Sequence, residues 1–83
     1  MTRLGILVVT YNSAGHIEAC LNSLPGRTPI LIIDNASTDG TAELARRHPA
    51  HPEVIANMAN LGFAAAVNQG FEHLETDFVL LLN

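Results

Sequence analysis

The chain has 83 residues, 48% of them hydrophobic and 14% charged, with a formal net charge of −4 and four basic residues, all arginine. That size supports one small domain with a limited core. With no lysine and no basic cluster beyond Arg46-Arg47, phosphate neutralisation of a nucleic acid is excluded as its business.

The mean hydropathy of +0.25 and the low charge are apolar for a self-contained domain; further protein is expected to cover part of the surface. Cys20 is the single cysteine, which excludes an internal disulfide and suits a reducing compartment. No apolar run approaches the ~20 residues of a membrane span. Met1-Thr2-Arg3 leads straight into a strand-like run, so no signal peptide is expected. The expected location is cytoplasmic, at the inner face of the membrane if a larger parent carries an anchor.

Leu4 to Thr10 is an aliphatic run rich in β-branched residues and predicts a strand buried on both faces. Tyr11-Asn12-Ser13-Ala14-Gly15 breaks it, and Asn12 or Ser13 is expected to cap a helix. Ile17, Cys20, Leu21 and Leu24 form that helix's apolar stripe, which Pro25-Gly26 ends. Pro29 to Ile33 predicts a second buried strand, running into Asp34-Asn35-Ala36-Ser37-Thr38-Asp39-Gly40. Ser37 or Thr38 is expected to cap a second helix reaching Arg47-His48, with Asp39 in its first turn and the arginines in its last, both favourable to the helix dipole. Pro52 to Asn57 predicts a weaker third strand. After Asn60-Leu61-Gly62, a 3.6-residue period through Phe63, Ala66, Val67, Gly70, Phe71 and Leu74 predicts the clearest helix. Asp77 to Leu82 predicts a fourth strand.

The β-α-β-α-β-α-β alternation defines an α/β, Rossmann-like parallel sheet with right-handed crossovers and helices on both faces. Ligands of such sheets bind at the carboxyl ends of the strands. Those ends carry Thr10, Tyr11, Asn12, Asp34, Asn35, Ser37, Asp39, Asn57, Asn60 and Asn83. Amides and a carboxylate suit base edges and ribose hydroxyls, and Tyr11 offers a flat face for a base. Asn35, Ser37, Asp39 and Asn57 are equally ordinary turn and cap residues. Asp34 stands apart, because a carboxylate directly after four aliphatic residues at a strand end is more often a ligand group.

Neither a G-x-G-x-x-G turn nor a G-K-[ST] phosphate loop occurs, and no basic residue lies in a carboxyl-edge segment. A bound diphosphate would therefore need a divalent metal or residues from elsewhere to neutralise it. His16, His48, His51 and His73 share no metal-ligand spacing, so no catalytic or metal-binding residue is assigned to this chain. Cys20 is expected to be buried and inert. Phe63, Phe71 and Phe78 are expected in the core, and Gly70 is expected to let its helix approach the sheet.

Four segments in register carry a resemblance. They are Thr10-Tyr11-Asn12 after the first strand, Ile33-Asp34-Asn35-Ala36-Ser37-Thr38-Asp39-Gly40-Thr41, Asn60-Leu61-Gly62-Phe63 leading to Asn68-Gln69-Gly70, and Phe78 through Asn83. Together they resemble family-2 glycosyltransferases, closest to the bacterial rhamnosyltransferase-like members. The resemblance implies the N-terminal half of an A-type glycosyltransferase fold and a nucleoside-diphosphate sugar donor of uridine or thymidine type. Carried over by position, Thr10, Tyr11 and Asn12 would line the nucleoside pocket and Asp34 would bond the base, with Asn35 beside it. Asn60, Gly62 and Asn68 would border the donor.

In the family, the run ending at Asn83 continues into an aspartate segment that coordinates Mg²⁺ or Mn²⁺. The expectation is a nucleotide-sugar-binding domain, residues 1–83, truncated at its C-terminus and supplying donor binding alone. Two other readings stay open: a non-catalytic nucleotide-binding module, and a structural half-domain completed by a second chain at the apolar fourth strand.

Overall fold

The computed structural model describes residues 3–83; Met1 and Thr2, the start of the expected lead-in, lie outside the described residues. The element order is β1 (Leu4–Thr10), α1 (Ile17–Asn22), β2 (Ile30–Asp34), α2 (Thr41–Arg47), β3 (Glu53–Ala56), α3 (Phe63–His73) and β4 (Phe78–Leu82). The strands form one sheet in the order β3-β2-β1-β4, and every pairing is parallel. The Rossmann-like α/β expectation holds.

Alternation along the two central strands divides the core between the sheet's faces. Ile6, Val8, Ile30 and Ile32 pack with Ile17, Leu21 and Ala45 of α1 and α2. Leu7, Val9, Leu31 and Ile33 pack with Ala66 of α3. Because both faces are covered, β2 is buried throughout, which is why its sequence reads as a continuous aliphatic run. Each large aliphatic side chain buried there is worth about 1.5–3 kcal/mol relative to exposure.

Gly70 is buried on α3, where an added Cβ would overlap the Leu7 side chain. The expected close approach of helix and sheet is therefore real. The same closeness corrects the expectation for the aromatics. Ala66 and Gly70 occupy the centre of the α3 contact, so Phe63 and Phe71 are displaced to its flanks and stay 45% and 49% exposed. Phe78 is 60% exposed, because β4 is an edge strand and its own side-chain pattern is only partly covered. Cys20 is half-buried rather than buried, packing at the margin of the α1 core.

The helix starts also differ from expectation. The residue before α1 is His16, with no side-chain cap; instead the Ser13 carbonyl accepts from the N–H groups of His16 and Ile17. The residue before α2 is Gly40, at φ 88°, again without a side-chain cap. The side chains of Asn12, Ser37 and Thr38 do not cap because they bond across to the neighbouring loop, and the Ser13 hydroxyl donates back to the Tyr11 carbonyl. Asp39 consequently precedes α2 rather than sitting in its first turn. At its other end α2 stops as His48 turns extended, the conformation favoured before a proline such as Pro49.

At the amino edge, the Arg3 N–H donates to Asp77 and its guanidinium to the Glu75 carbonyl. This ties the start of β1 to the connection entering β4.

Candidate nucleotide-binding rim

β1 and β2 are adjacent, parallel and in register so that Thr10 lies opposite Asp34. Both side chains are buried, Asp34 at 1% exposure. The Thr10 hydroxyl donates to Asp34 Oδ1 at 2.6 Å, and so does the Ser37 hydroxyl, at the same distance. The Ser37 N–H donates to Oδ2 at 3.0 Å. A buried carboxylate is tolerated when paired or hydrogen-bonded, and Asp34 meets that requirement with three donors.

The Ser37 hydroxyl also accepts from the Asn12 N–H at 2.7 Å. Ser13 and Ala14, the next two residues, give their N–H groups to Thr41 Oγ1 at 2.9 Å and Asp39 Oδ2 at 3.0 Å. In return Asn12 Oδ1 accepts from the Thr38 N–H at 2.9 Å. Three consecutive backbone donors after β1 are thus consumed by side chains after β2. The stitching holds two residues at positive φ, Asn12 at 49° and Ala36 at 64°; for alanine that conformation is strained.

Asp39 Oδ1 accepts from the Thr41 N–H and hydroxyl. The Thr41 hydroxyl and the Ala14 N–H hold the Asp39 carboxyl below its usual range, since donors to the charged form favour ionisation.

Asn35 anchors a third loop. Its N–H extends the β-ladder to the Thr10 carbonyl. Its Nδ2 donates to the Gly62 carbonyl at 3.1 Å, and its Oδ1 accepts from Asn57 Nδ2 at 3.1 Å. Asn57 and Gln69 form a reciprocal amide pair at 3.0 and 2.9 Å. Gly62 has φ 85°, a conformation that glycine adopts without strain, and its N–H donates to Asn60 Oδ1.

The sequence-derived residues therefore fall into two groups. Thr10, Asp34 and Asn35 converge on one rim and are buried, with side chains committed to neighbours. Tyr11 is 54% exposed, and Asn12, Asn60, Gly62 and Asn68 are also exposed. Tyr11 and Asn12 stand on the same rim, Asn60 and Gly62 on the loop that Asn35 holds, and Asn68 on α3 behind it. Thr41 and Gln69 escaped the sequence reading as network members. The available signal for Gln69 was its place beside Ala66 and Gly70, where a half-buried amide must find partners.

A divalent cation needs several hard oxygens free to face it. Asp34 and Asp39 are the acids of this rim, and the first is enclosed by its donors while the second is bonded to Ala14 and Thr41. Among the described residues no group of three or more His, Cys, Asp or Glu could hold a metal. The side chains present do not fit Mg²⁺ or Mn²⁺.

A parallel sheet wound on both sides, with a polar rim at its carboxyl edge, defines the doubly wound class of α/β protein, whose ligands bind at that edge. Residues 5–83 match Glycosyl transferase family 2, and the chain belongs to that family; this fold is the N-terminal portion of the A-type arrangement. It is 36% identical to an N-acetylglucosaminyl-diphospho-decaprenol L-rhamnosyltransferase of Mycobacterium tuberculosis, over 86% of this chain and 24% of that protein. It is 37% identical to glycosyltransferase AglJ of Haloferax volcanii, over 94% of this chain and 26% of that protein. Glycosyltransferase AglE of the same organism is 32% identical over 83% of this chain. The chain spans about a quarter of the length of these curated relatives. No solved structure matches it.

Proposed function

We propose that this chain supplies the donor-binding part of a glycosyltransferase. The enzyme would move a sugar from a uridine or thymidine diphosphate sugar to an acceptor hydroxyl, in polysaccharide or cell-envelope glycan synthesis. The observation that carries the proposal is the β1–β2 junction, where the Thr10–Asp34 bond joins two adjacent strand ends beneath the exposed Tyr11 and Asn12. Tyr11 stacks on the base, and Asn12, with its Oδ1 given to Thr38, offers its NH₂ to a base carbonyl. Asp34 and Asn35 act from beneath, and Asn60, Gly62 and Asn68 border the ribose and sugar.

Family-2 enzymes generally use a divalent metal on the donor diphosphate, where it offsets the leaving charge. The side chains described here do not provide that site, so the metal ligands and the acceptor base are assigned outside these residues. No helix among the described residues is long and apolar enough to cross a membrane. A cytoplasmic site of action, with access to activated sugars, fits the proposal.

Isothermal calorimetry with UDP, dTDP and ADP tests it. Saturable binding of a pyrimidine diphosphate in preference to ADP is expected. Tyr11→Ala should weaken that binding by about 1–3 kcal/mol, the value of one base–aromatic stack. Absence of saturable binding, or equal affinity for ADP, overturns the proposal. The outer edge of β4 favours a second reading, in which another stretch of polypeptide pairs along Phe78–Leu82 and completes a structural half-domain. Under that reading, the chain binds none of the three nucleotides.

A further inference from the structure

We propose that Gln69, acting through Asn57, is a positioning residue that sets the 57–62 loop at the border of the donor site; the role given to that loop rests on the donor-binding reading. The loop leaves β3 at Asn57, whose N–H still donates to the Asp34 carbonyl at 2.8 Å, and re-enters the fold at Gly62. Both ends are fastened to one side chain. Asn35 Oδ1 accepts from Asn57 Nδ2 and, at 3.4 Å, from the Leu61 N–H, while Asn35 Nδ2 donates to the Gly62 carbonyl. Between these points Met58, Ala59 and Asn60 are exposed, so no apolar contact of theirs shapes the loop.

Asn57 can serve Asn35 only while its amide plane is fixed. Gln69 fixes it, because the two amides exchange both bonds, Nδ2 to Oε1 and Nε2 to Oδ1. A flipped or rotated Asn57 would set oxygen against oxygen and nitrogen against nitrogen. The alignment is transmitted from α3, which the Gly70–Leu7 contact seats on the sheet, to a loop that packing alone does not hold. Every group in the clamp is a neutral amide, so its directionality comes from geometry rather than charge.

The test compares wild type, Gln69→Glu, Gln69→Met and the exchange Asn57→Gln with Gln69→Asn. The readouts are hydrogen exchange at the Leu61 and Gly62 amides and calorimetric affinity for UDP. In Gln69→Glu an ionised carboxylate faces Asn57 Oδ1, acceptor to acceptor. Exchange at Leu61 should quicken and UDP affinity should fall, each by about tenfold, the scale of one to two neutral hydrogen bonds. Exchange at Val67 and Phe71 within α3 should be unchanged. The double exchange, which conserves both amides and the total number of methylenes, should restore both readouts. Should Gln69→Glu fail to fold, Gln69→Met removes the amide at similar length and is read in the same way. Unchanged Leu61 exchange in the folded variants, or failure of the double exchange to restore it, overturns the positioning role. If wild type does not bind UDP, the donor-binding reading fails by itself, and Leu61 exchange still decides whether Gln69 sets the loop.

Discussion

Thr10→Val tests whether the β1–β2 junction is held by the buried carboxylate. The change is nearly isosteric and removes one donor from Asp34 Oδ1, leaving the Ser37 hydroxyl and N–H in place. A hydrogen bond to a charged group contributes about 1.5–3 kcal/mol. Thr10 and Asp34 are 3% and 1% exposed, so water cannot readily replace the lost donor, and a loss of about 2 kcal/mol is expected. For a domain of this size each 1 kcal/mol shifts the thermal midpoint by roughly 4–8 °C. Thr10→Ser is the control: it keeps the hydroxyl and deletes one methyl, about 0.8 kcal/mol, and should therefore be the milder change. Ser37→Ala removes the other Oδ1 donor, and the double variant leaves that oxygen without one. The two losses should then exceed additivity, by about 1 kcal/mol or more. Urea unfolding of the four variants gives the comparison. If Thr10→Val is as mild as Thr10→Ser, or the double variant is strictly additive, Asp34 does not organise the junction.

Two further outcomes are expected. Gly70→Ala should destabilise the chain by about 1–3 kcal/mol through overpacking against Leu7, even though alanine favours helix; a more stable Gly70→Ala protein in urea would show that α3 has room to move. The Asp39 carboxyl titrates below its usual range, with its principal cause in the Thr41 hydroxyl. Its stabilising contribution is therefore complete above the unfolded-state value, near ~3.9, and is lost as pH falls through the lower folded-state value. Asp39→Asn should accordingly flatten the acid limb of the stability curve below ~pH 4, as followed by urea midpoints. A titration of the Asp39 carboxyl by NMR at or above the free-residue value would contradict this.

Leu4–Thr10 and Ile30–Ile33 were legible as strands because both faces are buried from Gly5 onward and the runs are almost wholly aliphatic. Asp34 was legible as an unusual carboxylate for the same reason, since only a residue at a strand end can follow such a run and still find polar partners. The loop chemistry was not legible. Asn12 and Ser37, or Ala14 and Asp39, lie far apart in sequence, and nothing local shows that their bonds run between loops instead of into the nearest helix. Asn12 or Ser13 was therefore read as the cap of the first helix and Ser37 or Thr38 as the cap of the second, the commonest local use of such residues, with Asp39 placed in the second helix's first turn. The half-exposed Phe63, Phe71 and Phe78 mark the other limit. A helical or strand period tells which residues share a face, whereas exposure depends on how much of that face a neighbour covers.

On the donor-binding proposal, the stitched loops bear on which end of a nucleotide this rim would recognise. Phosphate-binding turns work by leaving successive backbone N–H groups free to converge on an anion. Here the corresponding donors, at Asn12, Ser13 and Ala14, are already spent on Ser37, Thr41 and Asp39. No arginine or lysine occurs from Tyr11 to Gly15, Asn35 to Gly40 or Asn57 to Gly62, so side chains do not supply the missing positive charge. What the junction does present is an aromatic ring and amides on a rigid base. Those groups favour a base and ribose over a diphosphate, and a loop fixed before the ligand arrives binds with less ordering cost. On the donor-binding proposal, this rim would select the nucleoside, and the diphosphate would be neutralised by groups other than the side chains described here.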